Sequence, residues 1–436
     1  MLQKVISDFL YFVNVLTFWQ KSFNMELYSG INEMIKRNLE QSIIKLSKHF
    51  PVIMLTGPRQ VGKTTLLESI SKDREYIALD DLEQRKLAKQ DPALFLQIHK
   101  PPIFIDEIQY APELFSYIKM YVDKNKTNGD FWITGSQKFH LMKNVTETLA
   151  GRVAIIDLLG ISQAEENKRK AIPFLPDKNW IEKTLNNKPE NEDITDIYKK
   201  IFRGSYPKLV ADKDMPRDIF YSSYVQTYIE RDVKDLMKIG DELKFLTFLK
   251  TIAARTGQLI NYADIANGVD VDEKTIKSWT SILETSGIIK MLYPYHNNLT
   301  KRAIKTPKMY FLDTGLCSYL CGWDSPTTLM NGSMSGNILE TYVFAEILKS
   351  YWNNALQPNI YFYRDTDQKE VDFVIETNDT LYPIEVKKTA NPNGVKLWFN
   401  VLKNTGKQIG DGDVICLYNS ILPINSSVYS VPANYI

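Results

Sequence analysis

Between Pro51 and about Ile161, short apolar runs alternate with stretches whose apolar residues recur at helical spacing. That alternation is the signature of a parallel sheet covered by helices. The runs Val52–Leu55, Tyr76–Leu79, Ile103–Ile105, Phe131–Thr134 and Val153–Leu158 predict five strands. A polar, charge-rich tract from about Gln163 to Lys200 predicts helices and loop between domains, and Tyr221–Met237 carries apolar residues at helical spacing. Phe245 to Ile289 reads as several short helices, followed by strands at Met291–Pro294 and Met309–Leu312. Asp324–Gly336, rich in Gly, Ser and Asn, predicts a linker. Beyond it the pattern gives a helix over Ile338–Tyr351 and strands at Ile360–Tyr363, Val371–Glu376 and Leu381–Val386. The fold class is α/β. The divisions expected are an extension (1–24), a first α/β domain (25–165), a helical linker or lid (166–240), a middle segment (241–325) and a last α/β domain (326–436).

Length and composition change this picture little. At 436 residues, 44% hydrophobic and 24% charged, the chain has the make-up of a soluble globular protein. A formal net charge of +1 leaves no overall field to draw it onto DNA or a membrane, so any nucleic-acid contact has to be a local patch. Three cysteines form neither a disulfide framework nor a zinc set, which fits a reducing cytoplasm, and four scattered histidines argue against a histidine metal site. The apolar run Phe9–Trp19 is too short to span a bilayer and lacks the features of a signal peptide. The expectation is a peripheral helix or an upstream start, with Met25 opening the ordinary sequence.

The chemistry begins at Gly57-Pro58-Arg59-Gln60-Val61-Gly62-Lys63-Thr64, which fits G-x-x-x-x-G-K-[ST] at every fixed position. It follows a predicted strand and opens onto the helix-like run from Thr65, the context that makes a phosphate-binding loop. Backbone N–H groups of such a loop meet a helix N-terminus and cradle phosphate oxygens. Lys63 would reach the β- and γ-phosphates and the Thr64 hydroxyl would hold Mg²⁺, so the cofactors expected are ATP and Mg²⁺. The strand Ile103–Ile105 ends in Asp106-Glu107. Asp106 can accept from Mg²⁺-bound water and Glu107 can polarise the attacking water, a pair that favours hydrolysis over small-molecule phosphate transfer. The strand Phe131–Thr134 is expected between the loop and the acidic strand, bringing Ser136 or Gln137, and less readily Thr134, near the γ-phosphate as a sensor. Arg152, Arg59 and Arg231 are candidates for a cation on that phosphate.

Farther along, Ile260–Ala266 followed by Thr275–Leu283 reads as helix-turn-helix, with Ile276, Trp279, Ile282 and Leu283 buried and a strand pair after Gly287 as a wing. Between Met291 and Leu312 stand four cations (Lys301, Arg302, Lys305, Lys308) and no acid, a candidate phosphate-binding edge. Asp272 and Glu273, at the start of the second helix, oppose that use. In the last domain Asp372 opens a strand and Glu385-Val386-Lys387 lies on the next, with Glu385 and Lys387 on one face by the period of two. Asp372 and Glu385 suit a divalent metal, Lys387 suits activation of a water, and Glu340 would add an acid from the preceding helix. The set resembles the PD-(D/E)XK nuclease core.

The stretches Phe50–Leu67, Asp80-Asp81, Phe104–Gln109 and Thr134–Ser136 resemble AAA+-type ATPases of the AAA_14 group, in which a DUF4143 domain follows. The resemblance continues through Leu149–Arg152, Arg203–Pro207, Tyr228–Asp232 and Pro307–Gly315. It implies a P-loop NTPase sheet of AAA+ type, a helical and winged-helix segment and a restriction-endonuclease-like α/β domain. The function expected is an ATPase coupling nucleotide state to a nuclease-like region that acts on DNA. Its rival is an ATP-dependent adaptor whose C-terminal fold docks a protein or nucleic-acid partner without cutting. A homo-oligomer is compatible with both, and neither involves a membrane.

Overall fold

The computed structural model describes residues 34–135, 145, 147–228, 242–297, 306–392 and 394–436. Arg231, Ser136, Gln137, Lys301, Arg302 and Lys305, with the segment before Met25, lie outside the described residues.

Five strands form the first sheet: β1 (Val52–Thr56), β2 (Glu75–Ala78), β3 (Ile103–Asp106), β4 (Phe131–Thr134) and β5 (Val153–Asp157). Their order is β2-β3-β4-β1-β5 and every pairing is parallel. β4 therefore lies between the strand before the phosphate loop and the strand ending in acid, as expected. The central strands read as unbroken apolar runs because both sheet faces are covered. Val52, Met54, Ile105 and Ile133 pack against Phe115 and Ile118 on one side. Ile53, Leu55, Phe104 and Trp132 join a core on the other that continues through the middle and C-terminal segments.

The middle segment places helices Glu242–Ala253, Tyr262–Val269 and Glu273–Thr285 beside a small antiparallel sheet. That sheet comprises β6 (Gln258–Leu259), β7 (Ile289–Leu292) and β8 (Lys308–Phe311), in the order β6-β8-β7. Ile276, Trp279, Ile282 and Leu283 are all buried, the face the periodicity marked. Asp272 caps the third helix, accepting from Thr275 N–H at 2.8 Å.

The last sheet holds β9 (Ile360–Arg364), β10 (Glu370–Thr377), β11 (Thr380–Val386), β12 (Gln408–Ile409), β13 (Gly412–Cys416), β14 (Leu422–Asn425) and β15 (Val428–Pro432). Its order is β14-β15-β13-β11-β10-β9, with β12 also on β11. β9, β10 and β11 are an antiparallel meander; β13 then runs parallel to β11 and β15 parallel to β13. Helix Ser335–Trp352 is buried almost all round, which is why its apolar residues show no single face. The expected linker is corrected: within it Pro326–Asn331 is a helix, because Ser325 and Thr328 form a reciprocal cap and Pro326 is preset at the first turn. The middle and last segments are also joined by backbone, Tyr295 N–H donating to Phe362 O at 2.6 Å and Phe362 N–H to Tyr293 O at 3.2 Å.

Two sequence motifs far apart in the chain meet at Asp313. One carboxylate oxygen accepts from Ser205 N–H (2.7 Å) and Oγ (2.9 Å), the other from Tyr221 OH (2.7 Å) and Leu316 N–H (2.7 Å). Gly204 and Gly315 must be glycine here, since a Cβ at either would collide with the Tyr221 hydroxyl. Hydrogen bonds to a buried charge contribute about 1.5–3 kcal/mol each and do not add fully. Asp313→Ala is therefore expected to cost about 3 kcal/mol or more, read as a lowered urea midpoint; a shift under about 1 kcal/mol refutes the role.

Candidate functional site

β1 ends at Thr56 and the chain turns at Gly57, whose φ of 141° only glycine adopts easily and where a Cβ would strike Leu158 O. Gly62, at φ 87°, starts helix Lys63–Ile70. The loop is thus wrapped onto a helix N-terminus with two residues that cannot carry a Cβ without strain. Lys63 is 7% exposed, and its Nζ donates to Gly57 O (3.0 Å) and Pro58 O (2.8 Å), which holds the ammonium inside the loop's arc.

Asp106 reaches this loop from β3. Thr64 Oγ1 lies 3.1 and 2.9 Å from its two oxygens, Tyr76 OH donates to Oδ2 at 3.2 Å, and Thr134 Oγ1 donates to Oδ1. Thr64 and Asp106 therefore offer a hydroxyl and a carboxylate side by side, a donor set that suits Mg²⁺. Glu107 takes a left-handed turn at φ 55°, with its N–H on Thr134 Oγ1 at 3.2 Å and its carboxylate accepting from Gln109 Nε2. Asp106 and Glu107 are thus oriented by Thr134, the polar group the sequence ranked last for this position. Glu68, one helical turn beyond Thr64, has its carboxyl pushed up by partial burial and by Asp106.

Arg152 does not join them. It precedes β5 at the end of the sheet away from the loop, pairs with Asp123 (2.5 Å) and donates to Ala150 O. Its carbonyl accepts from Val52 N–H, the first residue of β1, so it cannot reach a phosphate held in its own chain's loop.

Sequence reasoning missed the group that supports the loop. Arg37 is 6% exposed; its guanidinium donates to Val61 O (2.8 Å), Leu159 O (2.8 Å), Gly160 O (3.3 Å) and Glu165 Oε1 (3.0 Å). The Glu165 carboxyl is held below its ordinary value: burial opposes this, but Arg37 and the N–H groups of Ser162 and Asn38 outweigh it. Beside the loop, a cavity of about 260 Å³ is lined by Met34, Ile35, Gly62, Thr65, Leu66 and Pro207, among others, and is mostly apolar.

The C-terminal constellation also converges. Asp372 is 8% and Glu385 4% exposed; Asp372 Oδ2 accepts from Val386 N–H at 2.8 Å, and Lys387 Nζ lies 2.5 Å from Glu385 Oε1. Glu385 Oε2 is buried with no hydrogen-bond partner. Two buried carboxylates, one with an orphaned oxygen, fit a hard divalent cation. Among the described residues no group of three or more His, Cys, Asp or Glu is arranged to hold a metal. Glu340 Oε1 accepts instead from Tyr310 OH (2.6 Å) and Lys308 Nζ (3.0 Å). Lys308 itself is 4% exposed and also bonds Glu370, which corrects its assignment to a solvent-facing phosphate-binding edge.

Burial and mutual repulsion with Asp372 push Glu340 and Glu385 up to about 7. A carboxyl raised from 4.5 keeps in the folded chain a proton that the unfolded chain has released. The stability this confers is complete below about pH 4.5 and is lost as pH rises through 7. Urea unfolding of Glu385→Gln is expected to show a flatter fall in stability between pH 5 and 7.5 than the parent; an unchanged slope rejects the raised carboxyl.

Residues 49–167 match the AAA domain model AAA_14, residues 335–436 the domain of unknown function DUF4143, and residues 194–327 the domain of unknown function DUF8612. Uncharacterized proteins of Mycobacterium tuberculosis (Rv2008c) and Mycobacterium bovis (Mb2031c) are each 28% identical over 393 residues, covering 88% of this chain and 81% of theirs. Among solved structures, the Walker-type ATPase PABY2304 of Pyrococcus abyssi is similar at 13% identity and a TM-score of 0.40, over 66% of this chain and 95% of that one. A parallel sheet carrying a phosphate loop and an acidic strand agrees with the first of these matches: residues 49–167 form an AAA-type P-loop ATPase domain, and residues 335–436 match DUF4143.

Proposed function

We propose that the chain binds and hydrolyses ATP and uses the nucleotide state to control its C-terminal domain. The observation that carries this is the contact of Thr64 Oγ1 with both oxygens of Asp106, at 3.1 and 2.9 Å, directly under the phosphate loop. Thr64 and Asp106 would hold Mg²⁺, which when bound neutralises charge on the β- and γ-phosphates. The loop amides and Lys63 bind the same oxygens once Nζ exchanges its carbonyl partners for phosphate. Glu107, kept in its turn by Thr134, accepts a proton from the attacking water. The apolar cavity at Met34, Ile35, Leu66 and Pro207 is the place for the base, because it adjoins Gly62 and Thr65.

Control of the C-terminal domain follows from one segment, Leu159–Glu165. Arg37 ties it to Val61 of the loop; Ile161 O accepts from Lys349 Nζ (3.0 Å) and Gln163 N–H donates to Glu346 Oε2 (2.8 Å) on the C-terminal helix. The divisions at 165, 240 and 325 stand as part of this proposal, with the middle segment as a winged-helix link between the two functional domains. Its role in binding DNA is disfavoured, since the exposed acids Asp272 and Glu273 open the second helix of the pair and Lys308 is buried.

For the C-terminal domain the favoured activity is metal-dependent phosphodiester cleavage in which Asp372 and Glu385 hold the ion and Lys387 steadies the nucleophilic water. The unpartnered Glu385 Oε2 supports it. The adaptor reading, a docking domain that does not cut, draws on the engagement of Glu340 by Lys308 and Tyr310.

Lys63→Ala is expected to abolish ATP binding, measured with a fluorescent analogue. Glu107→Gln is expected to retain ATP while turnover falls by about 10²-fold or more; unchanged turnover removes Glu107 as the base. With Mn²⁺, plasmid nicking is expected from the parent and not from Asp372→Ala or Lys387→Ala. Equal nicking by all three assigns it to contamination and leaves the adaptor.

A further inference from the structure

The C-terminal carboxylate centre contains a cation donated by a different part of the chain. Lys308 belongs to β8, the central strand of the middle sheet, yet its Nζ lies 3.0 Å from Glu340 Oε1 and 2.6 Å from Glu370 Oε1. Its side chain is 5% exposed. Tyr310 is two residues on, hence on the same face of β8, and donates to the same Glu340 oxygen at 2.6 Å. Two side chains of one strand therefore close over the helix-borne acid. Asp372 feels the Lys308 ammonium as well, while Glu370 has a second, longer partner in Arg364 at 3.7 Å. On the other side of the centre Lys387 pairs with Glu385 Oε1, while Glu385 Oε2 is left without a hydrogen-bond partner.

We infer that Lys308 is a built-in cation of this centre, one that withholds Glu340 from a metal so that only the Asp372–Glu385 side takes a divalent ion. The inference rests on the reading of Asp372 and Glu385 as a metal pair. A second ion bridging Glu340 and Asp372 would place two positive charges against a buried ammonium, so the lysine and that ion exclude each other. Lys308 is a positioning residue, since it acts through Glu340. β8 belongs to the segment whose Gly287 lies against Pro58 of the phosphate loop.

The test is Mn²⁺ binding to the full chain at pH 7.5 without nucleotide, by calorimetry, counting only ions lost in Asp372→Asn. The parent is expected to take one. Lys308→Met is expected to take a second, or to bind roughly tenfold more tightly, a change of about 1.4 kcal/mol; Lys308→Arg, which keeps the charge, is expected to match the parent. An isotherm for Lys308→Met equal to that of a metal-binding parent overturns the inference and leaves the metal pair standing. A gain in Lys308→Arg equal to that in Lys308→Met overturns it too, because packing rather than charge is then responsible. Absence of any Asp372-dependent ion in all forms removes the metal pair and the inference with it. Glu340→Gln covers the case in which Lys308→Met fails to fold: one ion retained supports the inference, and loss of that ion shows Glu340 ligating beside Lys308 and overturns it.

Discussion

A guanidinium shut away from water has to place its donors on protein acceptors, and Arg37 places them on three carbonyls and one carboxylate. Those acceptors belong to two pieces of chain that must stay in register, the phosphate loop at Val61 and the segment leaving β5 at Leu159–Glu165. A loop built from glycines at φ 141° and 87° has little stiffness of its own. Its shape is imposed from behind, by Leu158 against Gly57 and by Arg37 against Val61. Glu165 keeps the arrangement from being an uncompensated buried charge, and Ser162 and Asn38 complete its hydrogen bonds. Removal of either ion would leave the other buried alone, which costs far more than the pair contributes.

The same short segment is where the rest of the molecule is attached. Lys349 and Glu346 on the C-terminal helix bond its backbone at Ile161 and Gln163, and Ile161 N–H donates to Ser205 O, next to the carboxylate of Asp313. The first two contacts are side chain to main chain and the third is main chain to main chain; all are directional, so a displacement of the segment is felt by three partners rather than absorbed by one. A hydrophobic core continuous from the ATPase sheet to the last residues gives the same result by packing. The molecule is better described as one packed body than as beads on a string.

Much of this was legible in the sequence, and for a physical reason. β1, β3 and β4 are buried on both faces and so read as apolar runs; the loop between β1 and the first helix is a local geometry whose requirements fall on adjacent residues. The E-x-K strand is visible because period two is local as well. What escaped was set by partners far away that no local motif marks. Arg37 meets Glu165 across 128 residues, Ser205 meets Asp313 across 108, and Lys308 meets Glu340 across 32. A lysine in a basic stretch looks solvated until the acid that buries it is known. The segment at Asp324–Gly336 was misjudged on composition, since Ser325 and Pro326 are turn residues in one setting and a helix start in another. Thr134 was underrated because its value lies in two neighbours, the Asp106 carboxylate and the Glu107 N–H, on the adjacent strand.

The electrostatics of the C-terminal centre complete the argument. Four carboxylates (Glu340, Glu370, Asp372, Glu385) face two buried or half-buried lysines, Lys308 and Lys387, with Arg364 at the rim. A cluster with more acids than cations in a low-dielectric setting has two ways to relax: take up protons, or take up a cation. The raised carboxyls of Glu340 and Glu385 express the first, and the orphaned Glu385 oxygen leaves room for the second. Such a site is uncomfortable by construction at neutral pH. Purely structural burial has no use for that discomfort, because apolar residues of similar volume would pack as well at lower cost. These charges lie beneath β8, which closes over Glu340 through Lys308 and Tyr310.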